Sequence, residues 1–428
     1  MKILSPVAIL GFGVEGKYAQ DFLNAHKTKD VQVFDEAKSP FPDLTEFSTI
    51  IRSPGVPYNH PKIQLARDSG VLITSMTQLT LEACRGRLTA ITGSNGKTTT
   101  TALVEHILRA HYTDLIVGGN DRSPILSEAL ENLDAKLLME VSSFQFSDVT
   151  ISPHISAVLN ITPNHLDWHE DLEDYIHAKN NLIKHQKTED WCILNANNEN
   201  SKKLSSEAPS TVFWIGEKKE NHYAVWEGDN LVVRHDGDAH SILNRQDLSI
   251  KTHPDNILFA AAIAILHGLS PALIEREMKT FAGVEHRLEF VRTVKDINYY
   301  NDTSCTTPES AVVAIDQFPS ENLILLLGGS SKKAEFAFLA SKIVNENVRI
   351  YCYGKEGKVI RQAVEEAGGN GLIISKNPLS SFDDIVQDVT SLAKPNDNIV
   401  LSPACASFDM FKNAKDRGNQ FKEIVNGL

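Results

Sequence analysis

Within its first hundred residues the chain twice drives an apolar run into a glycine turn and on into a helix-forming stretch. The first case is Val7-Ala8-Ile9-Leu10 followed by Gly11-x-Gly13-x-x-Gly16. The second is Leu88-Thr89-Ala90-Ile91-Thr92 followed by Gly93-Ser94-Asn95-Gly96-Lys97-Thr98. A strand that hands over to a helix so abruptly is the opening of a βαβ unit, whose right-handed crossover returns to a parallel neighbour. Two such openings predict an α/β chain with parallel sheets. At about 150 residues per domain, 428 residues leave room for three domains.

The remaining pattern agrees. Residues 1–85 alternate short apolar strands (VAIL, VQVFD, STIIRS, VLITS) with polar or helical stretches and are expected to form a first α/β domain. Residues 86–283 form a larger one, with strands LTAIT, KLLMEVS, ISAVLNI and DWCILNA, an antiparallel excursion over 208–243, and the helix HPDNILFAAAIAILHGL. Residues 284–428 restart the alternation with INYYND, LILLLGG, VRIYCYG, GLIIS and NIVLSPA.

A net charge of −13 excludes a general nucleic-acid or anionic-membrane binder, because those need a positive field; any anionic ligand must meet local cations. Five dispersed cysteines (84, 192, 305, 352, 405) make no C-x-x-C pair and read as reduced thiols of a cytoplasmic chain. The N-terminal MKILSPVAIL has a lysine and an apolar run but leads into a glycine turn, so it reads as a first strand. The apolar stretch at 257–266 is too short to span a bilayer, and no membrane insertion is expected.

The first loop fits a dinucleotide site, with Asp35 ending the next strand 19 positions after Gly16. It fits equally a helix-packing turn or the diphosphate of another nucleotide. The second loop is shorter than G-x-x-x-x-G-K-[ST], because Ile stands at 91, yet its mechanics survive. Backbone amides cradle phosphate, Lys97 reaches the β/γ-phosphates and the Thr98 hydroxyl can ligate Mg²⁺. Glu140 closes a strand and can take Mg²⁺ or be a solvated carboxylate. His165, Asp167 and His169 could hold zinc, or a histidine there could be structural. Lys179, on a predicted helix, reads as solvated. The residues alone thus stop at an ATPase domain of unknown purpose.

The motifs ITGSNGKTTT, MEVSSFQF, VLNITPNHLDWH, YIHAK, HPDN, GVEHRLEFV, LLLGGSSKKAEF and LSPACASFDMFKNAKDRGNQF stand in the order shown by the Mur ligase family, which the chain resembles over essentially its whole length. The resemblance is strongest to the glutamate-adding members. It implies a Rossmann-like N-terminal domain that binds UDP rather than a nicotinamide, a central P-loop ATPase-type domain, and a C-terminal Rossmann-like domain that closes over ATP and brings in the amino acid. The implied substrates are UDP-N-acetylmuramoyl-L-alanine, D-glutamate and ATP, with two Mg²⁺ ions, in a cytoplasmic enzyme, a monomer. The UDP-sugar side would use Val14, Glu15, Asp35, Glu36, Ser53, Gly55, Asn120 and Ser142. Gly93, Ser94, Asn95, Gly96, Lys97, Thr98, Thr99, Asn256, Arg287 and Asp302 would hold ATP. Thr98, Glu140, His165 and Lys179 would serve the metals and, with Lys97, the chemistry, Lys179 as a carbamate. His165 would also touch substrate. Thr306, Lys332 and Ser407 would grip glutamate.

The chain departs from the family at Ser304 and Cys305, where Lys-Ala is usual, at Ala414, where an aromatic is frequent, and in GGNDRSP. These changes leave L-glutamate as an alternative amino acid. More distant readings, an NAD(P) oxidoreductase or a UDP-sugar-binding protein, leave the second loop without a task.

Overall fold

The computed structural model describes residues 3–428 except 121, 166–167, 220, 332–333 and 376–380. Contacts group the chain into two compact units: residues 1–248 with 254–280, and residues 249–253 with 281–428.

The first unit holds two sheets. One consists of β1 (Val7–Leu10), β2 (Val31–Phe34), β3 (Thr49–Arg52) and β4 (Leu72–Thr74), all parallel, in the order β2-β1-β3-β4. Every residue of β1 and β3 is buried, as in a parallel sheet covered on both faces, including Thr49 and Arg52 at the two ends of β3. The helix Val14–Ala25 leaves the first glycine turn, and a Cβ on Gly16 would lie 2.0 Å from the Gly11 carbonyl oxygen. Glycine is what lets helix and turn approach this closely.

The other sheet has nine strands: β5 (Leu88–Thr92), β6 (Leu115–Gly119), β7 (Lys136–Glu140), β8 (Ile155–Val158), β9 (Trp191–Asn195), β10 (Thr211–Ile215), β11 (Tyr223–Glu227), β12 (Asn230–His235) and β13 (Asp238–Asn244). Their order is β13-β12-β11-β10-β9-β8-β5-β7-β6. The helix Pro254–Leu266 is buried on nearly every face and packs against the helix Lys97–Arg109, as its all-round apolar composition requires.

The second unit carries β14 (Glu289–Val294), β15 (Ile297–Asn301), β16 (Leu323–Gly328), β17 (Arg349–Tyr353) and β18 (Asn398–Leu401), in the order β14-β15-β18-β16-β17. Only the β14–β15 pair is antiparallel, and its register shifts at a bulge between Phe290 and Arg292.

Three sequence expectations change. The excursion over 208–243 is not antiparallel throughout, because β10 runs parallel to β9 and β11 parallel to β10; only β11-β12-β13 form a meander. Strand-rich composition does not reveal direction. The run GLIIS is not a strand: it makes a 3₁₀ turn at Asn370–Leu372 and one bridge, Ile350 to Ile373, after which the Ser375 hydroxyl takes the Cys352 amide that a strand would have engaged. Conversely, LIVGG forms β6, an edge strand the sequence pattern passed over. No disulfide joins any of the five cysteines, and among the described residues no helix is long and apolar enough to cross a membrane.

Candidate active site

Buried β5 ends at Thr92 and releases the second glycine loop. Gly96 caps the helix Lys97–Arg109 with φ +85°, and a Cβ there would lie 2.4 Å from Oδ1 of buried Asn256. Asn256 is thereby set against the loop. The amides of Ser94 and Asn95 donate to the backbone oxygen and side-chain Oδ1 of Asn160, both at 2.9 Å. The Ser94 hydroxyl donates to the Thr162 carbonyl at 3.0 Å and lies 2.9 Å from the Tyr175 hydroxyl. The loop is therefore held from below. What it offers a phosphate is the first turn of the following helix, Lys97, Thr98 and Thr99, whose amides an α-helix does not itself satisfy and whose dipole favours an anion.

At that helix start Glu140 is buried, and its Oε1 accepts hydrogen bonds from the Thr98 hydroxyl at 3.3 Å and the Asn120 amide at 2.9 Å. Among the described residues no cationic side chain forms an ion pair with this carboxylate. A buried carboxylate beside a hydroxyl, with only neutral donors, is an all-oxygen set that suits a hard divalent cation such as Mg²⁺.

Lys179 is not the solvated lysine its place on a helix suggests. It is 2% exposed, with Nζ donating to Thr92 Oγ1 at 3.1 Å and to the Gly93 carbonyl at 3.2 Å, over the Tyr175 ring. Lys97 Nζ donates to the same Gly93 carbonyl at 2.9 Å and to that of Ser94 at 3.2 Å. Burial first, and the Lys97 charge second, push the Lys179 amine well below its ordinary range.

His165 lies on an exposed turn, with φ +55° and its ring edge-on to Phe144. The buried histidine is His169, whose Nδ1 lies 2.8 Å from Asp174 Oδ2 and whose Nε2 lies 2.9 Å from Ser143 Oγ. With both ring nitrogens occupied it fits the structural reading, and Asp167 lies outside the described residues.

Val14, Glu15, Asp35, Glu36, Ser53, Gly55, Asn120 and Ser142 line one open cavity of about 640 Å³. Its floor comes from the first glycine turn and the turn after β3; its wall is Asn120 with the segment Ser142–Gln145. Ser142 caps a short helix through a capping box with Gln145, and Gln145 Nε2 donates to Glu15 Oε1 at 2.6 Å. Burial, partly offset by that hydrogen bond and by Arg52, raises the Glu15 pKa.

Sequence reasoning missed Arg52. Fully buried at the end of β3, it donates through Nε and Nη2 to both oxygens of Asp148, at 3.1 and 2.6 Å. Nη1 reaches the Val56 carbonyl at 2.8 Å and Nη2 the Ser147 hydroxyl at 3.0 Å. One guanidinium thus ties the cavity's floor to its wall. A charged residue closing an apolar strand gives no signal of this in sequence.

In the second unit, buried Asp302 accepts from Ser402 Oγ at 2.8 Å and from the Leu288 amide at 3.2 Å; burial, against these hydrogen bonds, raises its pKa to about 7. Arg287 is half-buried nearby in sequence and lowers that value, but less than burial raises it. Arg417 is fully buried and donates to the carbonyls of Thr303, Cys405 and Ala406 and to Thr303 Oγ1. Thr303 Oγ1 in turn donates to the Ala414 carbonyl at 2.8 Å. Of the departures, Ala414 joins this network through its carbonyl, and Ser304 follows Thr303 in the chain. Ser407 is buried, Thr306 is half-buried, and Lys332 lies outside the described residues.

Residues 91–262 match the Mur ligase middle domain and residues 286–405 the Mur ligase, glutamate ligase domain. The chain is 34% identical over 394 residues to the UDP-N-acetylmuramoylalanine--D-glutamate ligase of Acetivibrio thermocellus, covering 90% of this chain and 84% of that protein. It is 32% identical to the same enzyme of Clostridium tetani, covering 95% and 88%. Among solved structures it is similar to the UDP-N-acetylmuramate-alanine ligase of Thermotoga maritima (TM-score 0.60, 17% identity, 98% and 99% covered). It is likewise similar to the MurF ligase of Thermotoga maritima in complex with ADP (TM-score 0.61, 15% identity, 98% and 95% covered).

Proposed function

The chain belongs to the Mur ligase family, and from that premise we propose that it is an ATP-dependent amide ligase that adds D-glutamate to UDP-N-acetylmuramoyl-L-alanine in peptidoglycan precursor synthesis. The observation that carries the reading is the buried Glu140–Thr98 pair at the start of the Lys97 helix, beside the Asn120 wall of the cavity. It supports the reading because a helix start suited to phosphate and a carboxylate suited to a cation lie next to a pocket large enough for a nucleotide sugar.

In this reading the first loop is Rossmann-like and holds uridine diphosphate, with Asp35 and Glu36 toward the nucleoside, and the second is a P-loop variant for ATP. The alanine carboxylate attacks the γ-phosphorus and ADP leaves with the bridging electron pair, giving an acyl phosphate. The glutamate amine then attacks the acyl carbon, phosphate departs, and the nitrogen sheds a proton. Lys97 leaves the Gly93 and Ser94 carbonyls to neutralise the triphosphate, and Thr98 and Glu140 hold Mg²⁺. Bound Mg²⁺ supplies charge neutralisation between the two anionic reactants. Lys179, its amine pushed toward the neutral form by burial, would add to CO₂ and lose a proton to become a carbamate, an oxygen donor in place of a cation; His165 and this carbamate would serve the second ion. Thr306, Ser407 and Lys332 take the amino acid. The enzyme is a cytoplasmic monomer.

The test is release of ADP and phosphate from Mg·ATP with UDP-N-acetylmuramoyl-L-alanine, comparing D-glutamate, L-glutamate and no amino acid. Release that requires D-glutamate is expected. Dependence on L-glutamate would give the changes at Ser304, Cys305 and Ala414 a role in stereochemistry, and no release in any arm would overturn the ligase reading. Loss of a ¹³C-bicarbonate carbamate signal in Lys179→Arg would verify the modification; the absence of that signal from the wild type would refute it.

A further inference from the structure

On the far flank of the nine-stranded sheet, β11 and β12 form a hairpin in which Tyr223 pairs with Arg234. The next position outward on each strand is a histidine. His222 Nδ1 and His235 Nδ1 lie 3.0 Å apart, and Asp236 Oδ2 lies 3.3 Å from His235 Nε2. Among the described residues this is the one group of three or more His, Cys, Asp or Glu side chains with a ligand atom of each within 4.8 Å of the others. It stands away from the phosphate loop, because β11 is four places from β5 in the sheet.

Three features suit the group to a cation. The two Nδ1 atoms share one gap that admits a single proton, and tetrahedral zinc with Zn–N bonds of about 2.0–2.1 Å sets its nitrogens about 3.3 Å apart, within a few tenths of an ångström of the gap present. The rings are held: Trp191, at the start of β9, lies edge-on to both (centroids 4.9 and 5.2 Å), and Phe213 of β10 lies 6.2 Å from each. Asp236, in the tight turn to β13 with φ +50°, sits on the far nitrogen of His235. A carboxylate on that nitrogen fixes the orientation of the ring.

We propose that His222 and His235 bind a borderline divalent transition ion of the zinc class through their Nδ1 atoms, water completing the coordination, with Asp236 as a positioning residue. Imidazole donors favour Zn²⁺ over Mg²⁺, so the site is chemically separate from the all-oxygen set at Glu140. The ion replaces the proton between the rings and ties the two strands together at the open end of the hairpin.

The experiment is calorimetric titration of the full-length protein with ZnCl₂ in excess Mg²⁺, alongside His222→Ala, His235→Ala, His235→Gln and Asp236→Asn, each checked for a native circular-dichroism spectrum. The expected result is one equivalent of zinc taken up by the wild type and lost in every histidine variant. Asp236→Asn should bind about 10- to 100-fold more weakly, with recovery in Asp236→Glu. Zinc should also raise the melting temperature of the wild type but not of His235→Gln. Equal uptake by the wild type and the histidine variants, or none by the wild type, would overturn the site; unchanged affinity in Asp236→Asn would overturn the positioning role.

Discussion

Replacing Arg52 by Met should cost the first unit about 3 kcal/mol of stability. The side chain keeps its length and apolar stem but loses the bidentate pair to Asp148 and the bonds to Val56 and Ser147. Removing one partner of a buried ion pair costs about 3–5 kcal/mol, most of it from the charge left behind. Asp148 keeps 17% exposure and has Arg67 at 3.9 Å, which places the cost at the lower end. For a unit of this size each kcal/mol moves the melting point by about 2–4 °C, so a fall of about 6–12 °C is expected by calorimetry. Arg52→Lys should recover less than half, because an ammonium cannot reproduce the fork. Since the Arg52 fork joins cavity floor to wall, KM for the UDP-sugar substrate should rise while KM for ATP holds. A loss below about 1 kcal/mol, the range of exposed pairs, would show that the guanidinium is not what joins them.

Glu140→Gln keeps the shape and the Thr98 and Asn120 contacts but removes the charge; ADP release should fall at least 100-fold with an unchanged melting curve, and near-normal turnover would exclude Glu140 as a metal ligand. Gly16→Ala should lower stability by about 1–3 kcal/mol, since its Cβ would sit 2.0 Å from a carbonyl oxygen, whereas Gly13→Ala meets open space and should be neutral; equal melting curves for both would refute the close-approach argument. Asp302, with a pKa near 7 when folded and an ordinary carboxylate pKa when unfolded, binds its proton more tightly in the native state. Its contribution is complete below about pH 4 and lost as pH rises through 7, at most about 4 kcal/mol over three units. Asp302→Asn should flatten that slope in urea melts of the protein between pH 4 and 8, and an unaltered slope would contradict the assignment.

What could be read from the chain follows the range of the interaction that decides each feature. The strand–turn–helix openings at 7–25 and 88–109 are local, written in apolar runs and glycines, and they appear where expected. The Gly11–Gly16 pattern by itself does not announce what faces it, the segment Ser142–Gln145 about 130 residues away; that came only from the motif MEVSSFQF and the family resemblance. Lys179 shows the same limit: its place on a helix suggests a solvated side chain, and nothing local signals its burial against Thr92 and Gly93 of the second glycine loop, which only the family resemblance anticipates. Strand direction in 208–243 escaped because parallel and antiparallel edge strands share one composition.

The bulge in β14 has a consequence for the protein among other proteins. An outermost strand with unspent amides and carbonyls is a template on which any extended chain can add itself, and flat apolar edges are how sheets nucleate aggregates. In β14 the shift between Phe290 and Arg292 breaks the row of donors, and Glu289 and Arg292 put charge along it. In the first unit, one edge of the nine-stranded sheet ends likewise in β13, whose first four residues are Asp238, Ala239, His240 and Ser241. Straightening β14 by deleting the extra residue would therefore be felt first as lost solubility at high concentration, before any catalytic defect.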